Sequence, residues 1–579
     1  MAALVVVCFS FFLLLICVCA FHFYHVMILK PQRMREKLGK QGIKGPQPSF
    51  FYGNLLELKG LQLKEEKAEK KEEEIISHNH LHATYPAIQI WTKKYGKIFT
   101  YSLGKTVVLS VAHPQLLKAI NTHTGLELGK PEQERKVWKA LFGDSLVWTN
   151  GSTWQNQRKV IQPTLSPEKV KGMVDLIVES TLPLLRSWED RIQSEGGAAD
   201  IKIDEDLENL FSDVISRACF GSTYAQGEVI FLKLKELHGL ISSRGFTTGV
   251  PGWSYLPTKR NRRIWGLEKE IESLIMNVVE ERIKRPTPVN DFLQSILDAA
   301  SVYHTEMKSI SRFIVDNCKT MYLAGHATSM VASRWTLYLL ATYQDWQARC
   351  RAEVLEVCGD RYPDANSINR LKMLTLVINE SLRLYSPPIH VVREAVQDME
   401  LSGIFLPKGV TMLIPVSMVH HDHDIWGSDA NEFKPERFAN GVMAASKFPH
   451  AFLPFGLGPR VCVGQHLAMA ELKVVLSLFL SKFSFTISPK YQHSPMARYW
   501  MMVPEHGMNI LMKTMLAGPG HIYIKGDEET FKKEQGRRKK GVDQEKKEES
   551  VLHAEGVRAM DQHIKNILIS VVSGSTYIK

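Results

Sequence analysis

Apolar residues run almost unbroken from Ala2 to Leu29, interrupted only by Ser10, His22 and His25. About 20 such residues span a bilayer, so the stretch predicts one transmembrane helix. No basic residues precede it and no small-residue cleavage pattern follows, which separates it from a cleaved signal peptide. Lys30, Arg33, Arg35, Lys37, Lys40 and Lys44 come directly after it. Positive flanks stay on the cytoplasmic side, so the N-terminus is predicted lumenal and the rest cytosolic. Gly45-Pro46-Gln47-Pro48 then favours rigid, non-helical backbone. Residues 1–29 thus read as the anchor and 30–55 as a basic, proline-rich hinge.

Further along, Lys64 to Glu74 is a charge run suited to a solvated helix face or loop. His78, His80 and His82 read as part of a flexible surface loop. Alternation over Ile98–Ser102 and Val107–Val111, around Gly104-Lys105, predicts a β-hairpin. Residues 113 to 385 are mainly helical in pattern. Within them Phe313–Ala341 is apolar on most sides, as a core helix should be. Ser222 to Pro257 is rich in glycine, serine and aromatics and gives no clear element. Arg393 to Val419 reads as short strands with turns at Ser402-Gly403 and Pro407-Lys408-Gly409. Gln465 to Leu480 is a further helix. Residues 516–579 have the composition of a disordered tail. The fold class is therefore mainly α with small β-sheets, and the main domain is residues 56–515.

Composition alters this little. The chain has 579 residues, 44% hydrophobic and 23% charged, which allows a sizeable core. A net charge of +11 suits an anionic membrane surface or an acidic protein partner and does not call for nucleic acid. The eight cysteines contain no C-x-x-C pair, so neither a disulfide framework nor a zinc site is implied. A reducing compartment is expected for the main domain, and with the bulk of the chain cytosolic the sequons at Asn150 and Asn379 stay unglycosylated.

The chemistry concentrates in Phe455-Gly456-Leu457-Gly458-Pro459-Arg460-Val461-Cys462-Val463-Gly464, an F-x-x-G-x-R-x-C-x-G pattern at the entry of a helix. The helix N-terminus and Arg460 both favour a charged Cys462. A lone thiolate suits one bond to a soft metal, such as an axial bond to haem iron. Trp154 and Arg158 share a helix face at four-residue spacing, as a cation packed on an aromatic ring does. Ala324-Gly325-His326-Ala327-Thr328-Ser329 lies inside the long apolar helix. There Ala-Gly admits a close neighbour, and a threonine can bond back to a carbonyl. Glu380-Ser381-Leu382-Arg383 and Pro435-Glu436-Arg437-Phe438 complete the set. His420-His421-Asp422-His423-Asp424 is read as an ordinary loop and not as a metal cluster.

In this order, W-x-x-x-R, A-G-x-x-T-S, E-x-x-R, P-E-R-F and the cysteine loop resemble the cytochrome P450 superfamily over roughly residues 1–515. The resemblance implies the cytochrome P450 fold and haem b (iron protoporphyrin IX) with Cys462 as the metal ligand. It implies Trp154, Arg158, Arg393, Phe455 and Arg460 around the cofactor, and Thr328 as the hydroxyl on the oxygen side. Glu380, Arg383 and Arg437 would form a buried structural charge network. Electrons would come from NADPH through the flavins of NADPH-cytochrome P450 reductase, at the endoplasmic reticulum membrane. Ala327 departs from the pattern, since an acid normally relays protons there. Water, or His326 turned inward, would have to replace it.

Lys44-Gly45-Pro46, Phe313–Lys319, Trp426–Phe433 and Pro449–Phe452 are similar to a plant clan holding secologanin, brassinosteroid and cytokinin oxidases. Within it the likeness is greatest to enzymes that oxidise gibberellins and ent-kaurenoids. Leu146, Met321, Ala324, Ile389, Val391 and Met502 are the candidate pocket residues, nearly all apolar, which suits a small apolar substrate. A haem-thiolate isomerase or dehydratase, and a non-catalytic haem-binding membrane protein, are the alternatives. Thr328 speaks against the first, and intact Cys462, Glu380, Arg383 and Arg437 against the second.

Overall fold

The computed structural model describes residues 2–68, 78–221, 224–242, 255–284, 291–303, 307–498 and 500–515. The expectations for the tail, for residues 69–74 of the Lys64–Glu74 charge run and for 222–223 and 243–254 of the Ser222–Pro257 stretch lie outside these residues. The chain divides into two compact units. One is rich in strands and holds residues 1–137, 382–461 and 493–505; the other is mainly helical and holds 138–381, 462–492 and 506 onward.

In the strand-rich unit the predicted apolar helix forms over Ala2–Tyr24 and carries exposed Leu, Val and Phe side chains. It is long and apolar enough to cross a membrane. The helix does not stop at the basic flank. It continues through a π turn into Lys30–Gly39, with Met34 and Leu38 buried, so only the later part of the expected hinge is non-helical. Arg35 donates to the Pro46 carbonyl at 2.8 Å and to Ser102 Oγ at 3.1 Å, which ties the proline segment to the sheet. The hairpin is Ile98–Leu103 paired with Thr106–Val111, with Leu103 opposite Thr106. The sheet continues with Thr411–Pro415, His390–Ala395 and Leu128–Gly129. Only the contact of Thr106–Val111 with Thr411–Pro415 is parallel, so the two hairpins are joined by a crossover. The Ser402-Gly403 turn forms as predicted, between Met399–Leu401 and Ile404–Leu406. Val416–His420 is helical, where strand was expected.

Two histidine stretches differ from expectation. His78 and His80 are buried and do not lie in a surface loop. His78 bonds the Tyr385 hydroxyl at 2.8 Å, and His80 donates to the Leu384 carbonyl at 2.8 Å. His420 donates from Nδ1 to the Arg383 carbonyl and accepts the Leu453 N–H at Nε2, so both nitrogens are used in one neutral tautomer. Burial and the Arg383 charge hold it at about 3. Arg383 itself donates to the carbonyls of His420, Ala430 and Glu432. Arg437 pairs with Asp429 at 3.1 Å, an acid the sequence reading had not singled out.

In the helical unit, Met307–Thr342 is the predicted core helix, longer than its apolar pattern. Its Tyr322 ring stacks on Phe220 at 4.1 Å, and Arg334 pairs with Asp204 at 3.2 Å. The helix after the cysteine loop is Gln465–Lys482; its Phe479 meets Trp188 of Val174–Ser194 at 4.8 Å. A three-stranded antiparallel sheet, Ala199–Lys202, Asn509–Thr514 and Phe483–Ile487, closes one edge.

Candidate functional site

The helical unit brings Cys462 and Arg158 together. Gly464 caps Gln465–Lys482 and donates its N–H to the Cys462 sulfur. Cys462 is exposed, yet enclosed enough that burial raises its thiol above the ordinary value. The Gly464 N–H and the Arg158 guanidinium pull in the opposite direction and do not win. The sequence predicts a thiolate made by Arg460 and the helix terminus. The structure differs in the cation: the one that acts on the sulfur is Arg158. Arg158 lies on helix Gly151–Ile161, its Cζ 5.9 Å from the Trp154 ring centroid, and its Nε donates to Gln162 Oε1 at 3.0 Å. Trp154 is buried.

The long helix shows where the unit is open. Residues 313–323 and 329–341 are buried without exception, while Ala324, Gly325, His326, Ala327 and Thr328 are each partly accessible. Thr328 Oγ1 donates to the Ala324 carbonyl at 2.8 Å, the predicted back-bond. The close approach allowed by Gly325 is made by Ile215, since a Cβ there would lie 2.4 Å from Ile215 Cδ1. The glycine therefore serves helix packing. His326 does not turn inward: Nδ1 bonds its own Tyr322 carbonyl, and the ring meets Phe231 edge-on at 4.7 Å.

Two turns before the window, the same helix clamps the loop ahead of Trp154. Asp316 accepts the Asp144 N–H at 2.8 Å and pairs with Lys319 at 2.8 Å. Asn317 accepts the Leu146 N–H at 3.2 Å. Gly143, at φ +57°, leaves the space that the Asp316 carboxylate fills. Leu146, Met321 and Ala324 thus belong to this unit, whereas Ile389, Val391 and Met502 belong to the strand-rich one.

The strand-rich unit holds Arg393, Phe455 and Arg460, with a residue the sequence reading missed. Arg393, on strand His390–Ala395, donates to the Leu457 carbonyl at 3.1 Å. Burial lowers it to about 10. The cysteine loop is held by Asn121, whose Oδ1 accepts the Gly458 N–H at 2.8 Å. Gly458 sits at φ +68° with Ile120 O where a Cβ would fall, so a side chain is excluded twice over. Lys130 is pushed down by burial, then by Arg393 and Arg460, with Glu134 opposing. Lys130 follows Leu128–Gly129, the strand beside Arg393. Only the neighbouring Pro131 marks it in sequence. Phe455 and Arg460 are half-buried.

A cleft of about 580 Å³ in the helical unit is lined by Lys202, Asp204, Glu208, Phe231, Lys235 and neighbours. It contains none of the predicted site residues; its Lys235 pairs with Glu208 at 2.8 Å, and its Asp204 accepts the Met508 N–H at 2.7 Å.

The comparisons with known proteins agree with this chemistry. Residues 44–512 match the cytochrome P450 family model. The chain is 42% identical over 508 residues to cytochrome P450 714C2 of Oryza sativa subsp. japonica, covering 87% of this chain and 97% of that protein. It is 41% identical to cytochrome P450 714B3 of Zea mays over 502 residues, 86% of this chain and 94% of that one. Against cytochrome P450 714A2 of Arabidopsis thaliana the identity is 40% over 501 residues, 85% and 95% of the two chains. The fold and the lone cysteine place the molecule among haem-thiolate monooxygenases. The chain belongs to the cytochrome P450 family, within its plant 714 group.

That family binds haem b through a cysteine thiolate and uses O2 with a reductase as redox partner. The residues fit the group. Cys462 offers an accessible sulfur beside a guanidinium. In the other unit, burial and the two nearby cations Arg393 and Arg460 depress Lys130, a repulsion that the carboxylates of a haem would relieve.

Proposed function

We propose that this protein oxidises a gibberellin or a related ent-kaurane diterpenoid, inserting one oxygen atom from O2 with electrons from NADPH-cytochrome P450 reductase. The observation that supports it best is the partly accessible stretch 324–328, which starts at apolar Ala324, follows apolar Met321 and carries the Thr328 hydroxyl. Its wall suits a rigid polycyclic hydrocarbon skeleton. In this reading Cys462 is the metal ligand. Arg158, Arg393 and Arg460, with Trp154 and Phe455, hold the haem, its propionates meeting the arginines; Lys130 joins them. When bound, the haem supplies O2 activation, which the thiolate sulfur favours. Thr328 orders water and holds a proton at Oγ1. Ala327 leaves that step without its usual neighbouring acid.

The apolar helix suits a single-pass anchor, and we assign it to the endoplasmic reticulum membrane with the catalytic domain cytosolic. Residues 30–55 join anchor to domain, 56–515 form the monooxygenase domain, and 516–579 are a tail beyond it.

The test is expression in microsomes with a plant reductase, followed by incubation with gibberellins, kaurenoids, cytokinins and sterols. A gain of one oxygen on a gibberellin or kaurenoid, dependent on NADPH, is the expected result. Turnover confined to the sterols or cytokinins overturns the substrate class. A product formed without NADPH and O2 overturns monooxygenation.

A further inference from the structure

Four imidazoles of the strand-rich unit gather around Leu384 and Tyr385, where a helix ends. A helix end leaves carbonyls without an intrahelical partner. The Leu384 carbonyl is closed by two rings, through His80 Nε2 at 2.8 Å and His421 Nε2 at 3.1 Å. The Tyr385 hydroxyl lies between two more, His78 Nδ1 at 2.8 Å and His493 Nε2 at 3.2 Å. With its Nε2–H donated, neutral His80 keeps a bare Nδ1, which is buried with no hydrogen-bond partner. His80 is 1% exposed, and the His421 ring meets it edge-on at 4.7 Å. A proton added at Nδ1 is therefore a buried charge that faces no acceptor. His78 and His80 come from one short segment, which also bonds the Tyr85 hydroxyl to His390 at 3.0 Å. His390 begins the strand that carries Arg393.

We propose that His78 and His80 form an acid-released latch that holds segment 78–85 on Leu384 and Tyr385. The closed latch admits only neutral rings, whereas a released imidazole is free to take a proton. The groups that act most on His78 are His493, His80 and Arg383; those on His80 are His421 and His493. His421 in turn faces Arg383, His420 and the Asn431 side chain at 2.8 Å. Apart from the Tyr385 hydroxyl, each ionisable member of this set is a cation or another imidazole, so none offsets an added positive charge. Burial first, then these neighbours, hold His78 and His421 at about 3, and burial holds His493 at about 4. His80 is pushed the same way. A free imidazole titrates near about 6.5, so the latch is fully favoured above that pH. Its advantage is lost as pH falls from there toward the values of the buried rings, because the released form binds the protons. Release also parts Tyr85 from His390 and so frees the first residue of the strand holding Arg393.

The experiment is hydrogen exchange read by mass spectrometry on the full haem-loaded protein in lipid nanodiscs, with intrinsic exchange rates divided out. The reporters are the Ala83, Thr84 and Tyr85 amides, which bond the His80 and Leu81 carbonyls. A single turn of this kind does not persist once the segment is released. An imidazole that is neutral when held and titrates near 6.5 when released makes release about tenfold more frequent between about pH 7.5 and about pH 5.5. His78 and His80 leave together, so opening over 78–85 should rise about a hundredfold across that interval. H78Q and H80Q should each cut the rise to about tenfold, and H78Q/H80Q should abolish it. Peptides from 313–341 should keep their protection throughout. H80Q, whose amide can still donate to Leu384, carries the test if the double variant fails to fold. A wild-type rise below about tenfold, or an undiminished rise in H80Q, overturns the proposal. An equal rise over 313–341 also overturns it, because the whole chain would then be opening and not the latch.

Discussion

The helical unit buries two acids against the same long helix, and they are built differently. Asp316 is met by the Lys319 ammonium, by the Asp144 N–H and by the space at Gly143. Glu471 is met by one serine hydroxyl and has an open oxygen. A buried carboxylate with a cation and a backbone donor can stay charged and act as a fixed joint. One with a single neutral donor takes up a proton instead. The difference teaches that, between two acids that are both buried, the set of donors separates a paired clamp from a protonated acid in this fold.

The largest break in that comparison is D316A. It leaves the Lys319 ammonium buried without its carboxylate and removes the acceptor for Asp144 N–H. A loss of about 3–5 kcal/mol of unfolding free energy is expected for a broken buried pair. Urea unfolding followed by tryptophan fluorescence measures it. A loss no larger than that of E471Q would show that the two acids are equivalent.

G143A sharpens the same point from the opposite side. The residue sits at φ +57°, and its Cβ would lie 1.9 Å from Asp316 Cγ. Strain and displacement of the carboxylate together should cost about 1–3 kcal/mol. The double variant G143A/D316A should cost clearly less than the sum of the singles, because the clash disappears with the carboxylate. Full additivity would mean that the glycine is needed only for its backbone angle.

How much of this could be read from the chain alone follows the range of the interactions. The cysteine loop was legible, since its glycines, arginine and helix entry lie within ten consecutive residues. The hairpin and the core helix were legible for the same reason: their periodicities are local. Glu471 was not, because its partner Ser329 lies 142 residues away. A lone acid amid the apolar run Leu467–Leu480 was the available signal. Lys130 was missed because Arg393 and Arg460 reach it through the fold. His78 and His80 were misread as surface residues because a polar stretch looks solvated. Their burial depends on Tyr385 and Leu384, more than 300 residues on.

The smallest expected effect is the most discriminating. At pH 7, E471Q should change stability by no more than about 1 kcal/mol, since the glutamine amide replaces a carboxyl that is already neutral. The signature lies in the pH dependence. Glu471 in the folded protein is raised to about 8, whereas an unfolded glutamate titrates near about 4.3. Between these values the folded state holds a proton that the unfolded state has released, so stability falls as pH rises through the window and levels off above it. The slope for one proton is at most about 1.4 kcal/mol per pH unit. E471Q has no such proton and should flatten the profile between pH 5 and 8 relative to wild type, while D316A lowers the whole curve. Parallel curves for wild type and E471Q would mean that Glu471 is charged in the folded protein, and its contrast with Asp316 would fall.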